Sequence, residues 1–114
     1  SQRLVRNLCS ECRTPLHLND SEYEDYGLDS SIDIYQSQGC PACLQTGYRG
    51  RSGIYEMIEV DDKLSSMIHD GESQAKIERY CRTKSPSIRD DGMRKVEQGM
   101  TTIDEVLRVT RENL

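Results

Sequence analysis

Two pairs of cysteines, Cys9/Cys12 and Cys40/Cys43, are the residues of this sequence whose type and spacing can do chemistry. Each pair is a Cys-x-x-Cys knuckle, a turn that aims two thiolates at one point. Two such knuckles facing each other complete a tetrahedron of sulfur, the closed geometry of structural zinc, which leaves no position for a substrate or an activated water. Cys9, Cys12, Cys40 and Cys43 are therefore the expected ligands of one structural Zn2+ per chain, and no catalytic residue is expected. The knuckles are separated by residues 13–39, a longer stretch than the roughly 15–20 residues of the usual ribbon spacing. The excess must form a loop or a small insertion. Two disulfides are the alternative use of four cysteines, but such frameworks belong to secreted chains. An odd total of five cysteines, with no export signal and no apolar run of membrane-spanning length, makes a reducing compartment the economical expectation, with cytoplasm as the default.

Composition explains why such a chain needs a metal. Of its 114 residues 34% are hydrophobic, with neither Phe nor Trp, so six tyrosines supply all the aromatic bulk. A small scaffold with a thin apolar inventory needs a staple. A metal site that does not exist in the unfolded chain contributes its binding free energy to folding, on the order of 10–16 kcal/mol for structural zinc. The formal net charge of −5 becomes more negative once four thiolates surround a divalent ion. Affinity for nucleic acid comes largely from Lys and Arg on phosphates, so a nucleic-acid partner is not expected. Sulfur tetrahedra also suit iron, and Cys40-Pro41-Ala42-Cys43 is a rubredoxin-type knuckle. An electron-transfer module is thus the rival reading, distinguishable by visible colour.

The elements that position the knuckles can be read from local pattern. Arg3-Leu4-Val5-Arg6-Asn7-Leu8 alternates loosely and reads as a strand running into the first knuckle. The polar, acidic stretch from Arg13 to Gln38 is expected to hold a short helix or turn at Ser21–Tyr26, stopped by Gly27, and a brief strand around Ile32, Ile34 and Tyr35. His17, five residues past Cys12, reads as a surface residue because four thiols already complete a site. After the second knuckle, Thr46–Gly53 carries three glycines with Arg49 and Arg51. It reads as a turn leaving the metal site, and Ile54–Val60 as the strand that follows. The Walker A pattern occurs nowhere in the chain.

The last half is helical in pattern. Asp61 and Asp62 cap a helix carrying Leu64, Met67 and Ile68, and Ser73 opens another carrying Ile77, Tyr80 and Cys81. Cys81 reads as a small buried hydrophobe. Ser87–Gly92 leads into Met93–Gln98, with Gly99 as the stop, and Asp90 and Asp91 are expected to cap or to form salt bridges. Thr102 and Glu105 form a capping box before Ile103, Val106 and Leu107, with Val109 nearby. The expected class is α+β: a small tetracysteine zinc-binding lobe with short antiparallel strands, residues 1–60, followed by a bundle of three to four short helices, residues 61–114.

Four stretches in one colinear order resemble a known family. They are Arg3-Leu-Val-Arg-x-Leu-Cys-x-x-Cys12, Gly39-Cys-Pro-x-Cys-x-x-Thr-Gly-Tyr-Arg-Gly-Arg-x-Gly-Ile-x-Glu56, Ser87-Ile-Arg-Asp-Asp-Gly92 and Gly99-x-Thr-Thr-x-x-Glu-Val-Leu-Arg-Val-Thr-Arg-Glu112. Together they resemble the C-terminal region of the type II secretion system ATPases, the general secretory pathway protein E family. The type IV pilus assembly ATPases share the knuckles and the glycine-rich stretch. Ser87–Gly92 and Leu107-Arg-Val-Thr110 favour the secretion branch. The resemblance implies a parent that is a cytoplasmic, hexameric ATPase peripheral to the inner membrane, driving pseudopilus assembly. Its partners would be neighbouring subunits and inner-membrane secretion platform proteins. It also implies that Cys9, Cys12, Cys40 and Cys43 hold zinc. ATP and Mg2+ would bind only the parent, whose P-loop core lies upstream and is absent here, so the fragment alone should be inactive. The surface around Arg49 and Arg51 is the first candidate for a partner contact.

Overall fold

The computed structural model describes residues 1–111. The chain begins in strand β1 (Gln2–Leu8), which pairs antiparallel with β4 (Tyr48–Tyr55) in a register running from Gln2 opposite Tyr55 to Leu8 opposite Tyr48. The ladder is irregular between Arg6 and Leu8, which bends the strand just before the first knuckle. A second, shorter ladder pairs β2 (Thr14–Leu16) with β3 (Ile34–Gln36). Between them sits helix α1 (Asp20–Tyr26). Asn19 and Glu22 close a capping box at its start, and Gly27 ends it with φ +68°. The long spacing between the knuckles is thus a strand–helix–strand insertion that returns the chain to within reach of its starting point.

The expected strand at Ile54–Val60 lies earlier in the chain. Pairing with β1 selects Tyr48–Tyr55, so the glycine-rich stretch read as a turn is itself the strand. The partner strand runs out beyond Glu56, whose N–H still bonds Ser1 O. Without a ladder to join, Met57, Ile58 and Val60 are left exposed, Met57 to 80%.

Four helices follow, within the expected three to four: α2 (Asp62–His69), α3 (Gln74–Lys84), α4 (Ile88–Glu97) and α5 (Ile103–Thr110). α4 begins inside the stretch read as leading into Met93–Gln98, because Ser87 and Asp90 cap it there. Asp61, Ser73, Ser87 and Thr102 cap them, each side chain accepting from the N–H three residues on. Asp90 completes a capping box with Ser87, and Asp91 accepts the N–H of Tyr55, tying α4 to the end of β4. α5 departs from expectation. Thr102 caps the N–H of Glu105, but the Glu105 side chain turns into the interior rather than back to the cap.

The core is a cluster of Leu28, Ile34, Met93, Val96, Ile103 and Val106, with Leu16, Leu18, Tyr23, Tyr26 and Leu107 packed at its edge. It therefore joins residues of the inter-knuckle insertion to α4 and α5, across position 60. α4 approaches α5 closely at Gly92, where a Cβ would sit 2.5 Å from Val106 Cγ1, so a glycine in mid-helix is required by packing. The α2–α3 pair adds only Leu64 and Cys81 as buried residues. The molecule is elongated, 56 × 29 × 26 Å with a radius of gyration of 17.0 Å, against about 13 Å for a compact chain of this length.

Candidate metal centre

The first knuckle follows the bend at the end of β1. Leu8 N–H donates to Met100 O (2.8 Å), Cys9 N–H to Gly47 O (3.0 Å) and Arg13 N–H to Cys9 O (3.1 Å). The second knuckle is a single 3-10 turn, Pro41–Cys43, with Pro41 at its first position, where no N–H is needed. Leu44 (φ +55°) and Gln45 (φ +65°) then adopt the left-handed conformation in succession. This costs backbone strain in non-glycine residues and turns the chain sharply enough to bring Gly47 back against Cys43.

These two turns bring the four expected cysteines together. All four sulfurs lie within 4.8 Å of one another, and Cys9 and Cys43 are buried while Cys12 and Cys40 are half-buried. Sγ separations are 3.8 Å for Cys9–Cys40, 3.8 Å for Cys12–Cys43 and 3.7 Å for Cys40–Cys43. Zinc–sulfur bonds of about 2.3 Å in a tetrahedron require sulfurs about 3.8 Å apart. The sulfurs are thus spaced for a single ion at their centre, and none is in a disulfide. His17 is exposed and outside the cluster.

Backbone donors complete the site. Gly39 N–H points to Cys12 Sγ (3.3 Å), Cys40 N–H to Cys43 Sγ (3.3 Å) and Gly47 N–H to Cys43 Sγ (3.1 Å). Burial works against ionising Cys43, but the N–H groups of Cys40 and Gly47, together with the Cys40 and Cys12 thiols, outweigh it and hold the Cys43 thiol down at about 6. The Cys43 backbone also favours the Cys40 thiolate, yet burial and the crowding of the other three sulfurs push Cys40 up to about 11. Four thiols at this spacing cannot all ionise unless a cation sits among them, and a divalent ion resolves that conflict. The donor set suits zinc or iron. With four sulfur donors filling a tetrahedron, a bound ion would supply crosslinking rather than water activation.

Residues 1–108 match the family described as Type II/IV secretion system protein. The chain belongs to this family. Its relatives include the Type II secretion system protein E of Pseudomonas aeruginosa, 48% identical over 98% of this chain and 23% of that protein. The Type II secretion system ATPase E of Vibrio cholerae is 43% identical over 99% of the chain and 23% of its own length. The Type IV pilus assembly ATPase PilB of Thermus thermophilus is 37% identical over 98% of the chain and 13% of its own length. The chain thus spans less than a quarter of each of these type II/IV secretion relatives. No helix among its described residues is long and apolar enough to cross a membrane.

Beyond the cysteines, the structure adds supporting residues that the knuckle motif alone did not single out. Gly39 (φ +118°) and Gly47 (φ +83°) present the N–H groups that face Cys12 and Cys43. Their signal was their position beside the second knuckle. Glu105 is the other addition. Its carboxylate, 2% exposed, accepts Arg6 N–H (2.8 Å) and both the Arg6 and Arg108 guanidiniums at 2.9–3.1 Å, clamping α5 to β1 three residues before Cys9. Thr101 Oγ1 donates to Arg6 O, and Tyr48 OH meets Thr102 Oγ1, on the same seam. Arg49 and Arg51, on β4, are exposed.

Proposed function

We propose that this chain is the C-terminal zinc-binding and helical region of a cytoplasmic, hexameric ATPase that powers type II protein secretion by driving pseudopilus assembly. The reading is carried by the colinear similarity, 48% identical over nearly the whole chain, to a relative named Type II secretion system protein E. The lower identity to the pilus assembly relative supports the secretion branch over the pilus branch. Cys9, Cys12, Cys40 and Cys43 hold one structural zinc. Residues 1–60 form the zinc-binding subdomain and residues 61–114 the helical one, the two sharing the core that α4 and α5 complete, downstream of a P-loop core that binds ATP and Mg2+. The chain alone contributes stability and interaction surface, without hydrolysing ATP, because it carries no Walker motif. Its partners are neighbouring subunits and inner-membrane platform proteins, met through the face that carries Arg49 and Arg51.

Elemental analysis of the purified chain, with circular dichroism before and after a strong chelator, tests the metal half of this reading. One zinc per chain and loss of folded signal on chelation are expected. Iron with a visible spectrum, or no metal, would overturn it. The partner half is tested by Arg49→Glu/Arg51→Glu in the full-length parent. Hexamer assembly and secretion should fall while zinc content stays normal. Unchanged assembly and secretion in that variant would remove these arginines from the interface.

A further inference from the structure

Away from the cysteines, a cleft of about 1030 Å³ opens between α3, the start of α4 and the end of α5, with Glu56 at its side. Acids outnumber bases in the whole chain by 20 to 15, yet among the described residues Arg79, Arg82, Arg89 and Arg111 line this cleft against Glu56 and Glu78. Arg82 ion-pairs with Glu56, while Glu78 accepts only from the neutral Gln74 amide (3.1 Å) and keeps its charge, so the lining residues carry more positive than negative charge.

Arg89 is held in place by neutral partners, its Nε donating to Thr110 Oγ1 (3.1 Å) and its Nη2 to Thr110 O (3.3 Å), so its charge is oriented but not cancelled. Arg79 makes no ion pair among the described residues. Guanidiniums gathered in one concavity repel each other, and a bound anion relieves that repulsion. Their planar forks match phosphate oxygens two at a time. Ala75, Ile88 and the arginine stems add apolar wall. The volume lies just above the roughly 300–1,000 Å³ typical of small-molecule sites, far more than a halide fills.

We propose that this cleft binds a phosphate-bearing small molecule, a polyanion taken mainly by Arg79 and Arg89. The site is separate from the metal centre and does not depend on the function proposed above. The test is an NMR titration of the metal-loaded chain with inorganic phosphate, pyrophosphate and tripolyphosphate at about 0.15 M salt, where diffuse surface attraction is largely screened. Saturable shifts are expected at Ala75, Glu78, Ser87, Ile88 and Thr110, with affinity rising along the series. Arg79→Glu, a change at an exposed residue, should weaken tripolyphosphate binding at least about tenfold, and Arg79→Lys should weaken it less, because the charge stays and the fork is lost. Unaltered metal content and dispersion in both variants would show that the fold is intact.

Shifts that never saturate, or that fall equally on Arg49 and Arg51, would overturn the proposal. So would binding indifferent to Arg79→Glu. A last arm uses vesicles containing anionic phospholipid: binding to them without binding of the free oligophosphates would place the phosphate on a membrane and refute the small-molecule site.

Discussion

Glu105 shows how much one buried carboxylate can organise. Burial alone would raise its pKa, yet the Arg108 and Arg6 guanidiniums and the Arg6 N–H hold it down at about 2. A carboxylate whose folded pKa is depressed stabilises the native state fully above its unfolded value and loses that contribution as pH falls through the folded one. The window here runs from about pH 4.5 down to about pH 2. Glu105→Gln should therefore cost on the order of 2–3 kcal/mol at pH 7, since the change removes the charge that the two guanidiniums pair with and turns an NH2 donor toward them in place of one acceptor oxygen. Urea unfolding of both proteins from pH 7 downward checks this. The difference between them should hold steady to about pH 5 and shrink below about pH 4.5, while loss of metal in acid affects both alike. A difference that does not narrow in acid would mean that Glu105 acts through packing instead of charge.

At the scale of the element, the second knuckle depends on a turn as much as on its cysteines. Gly47 has φ +83°, a Cβ there would meet Ser37 Cβ at 2.6 Å, and its N–H reaches Cys43 Sγ. Gly47→Ala should displace that donor and the strand leaving it. Supporting groups of this kind typically alter metal affinity by about 10–100-fold. Competition with a chromogenic chelator measures the change, and an affinity equal to wild type would show that the turn is not needed to aim the sulfur. β4 teaches a related point. Its glycines and arginines look like a loop in isolation, and they become a strand because β1 offers a matching ladder.

Across the whole molecule, stability is unevenly spread. β1 and α5 share the Glu105 clamp, β4 and α4 the Asp91–Tyr55 tie, and α4 and α5 pack with the inter-knuckle insertion in the apolar cluster. The α2–α3 pair is joined internally by Tyr80 and Asp61 and reaches the rest through the Arg82–Glu56 pair. Few buried apolar residues imply a low free energy of local opening. Hydrogen exchange on the metal-loaded chain should show α2 and α3 amides exchanging at least about tenfold faster than those of α4 and β1. Equal protection in all four would mean that the chain opens as one cooperative unit. The elongated shape has the same origin: a thin apolar inventory draws part of the chain into one core and leaves a helical pair at its side.

The sequence by itself determined the four sulfurs, the helix caps at Asp61, Ser73 and Thr102 and the class, because each depends on residues within a few positions of one another. A Cys-x-x-Cys turn, a capping Ser or Asp and a helix-ending Gly act through local backbone geometry and need no distant partner. The family was legible as well, since its motifs lie in one colinear order. Tertiary structure alone decided what pairs across the chain. It selected Tyr48–Tyr55 as the strand, sent Glu105 inward to Arg6, 99 residues away, and gathered arginines from α3, α4 and the end of α5 around one cleft. Those outcomes depend on which distant groups folding brings within a few ångströms, and side-chain charge and packing settle them only once the chain has closed on itself.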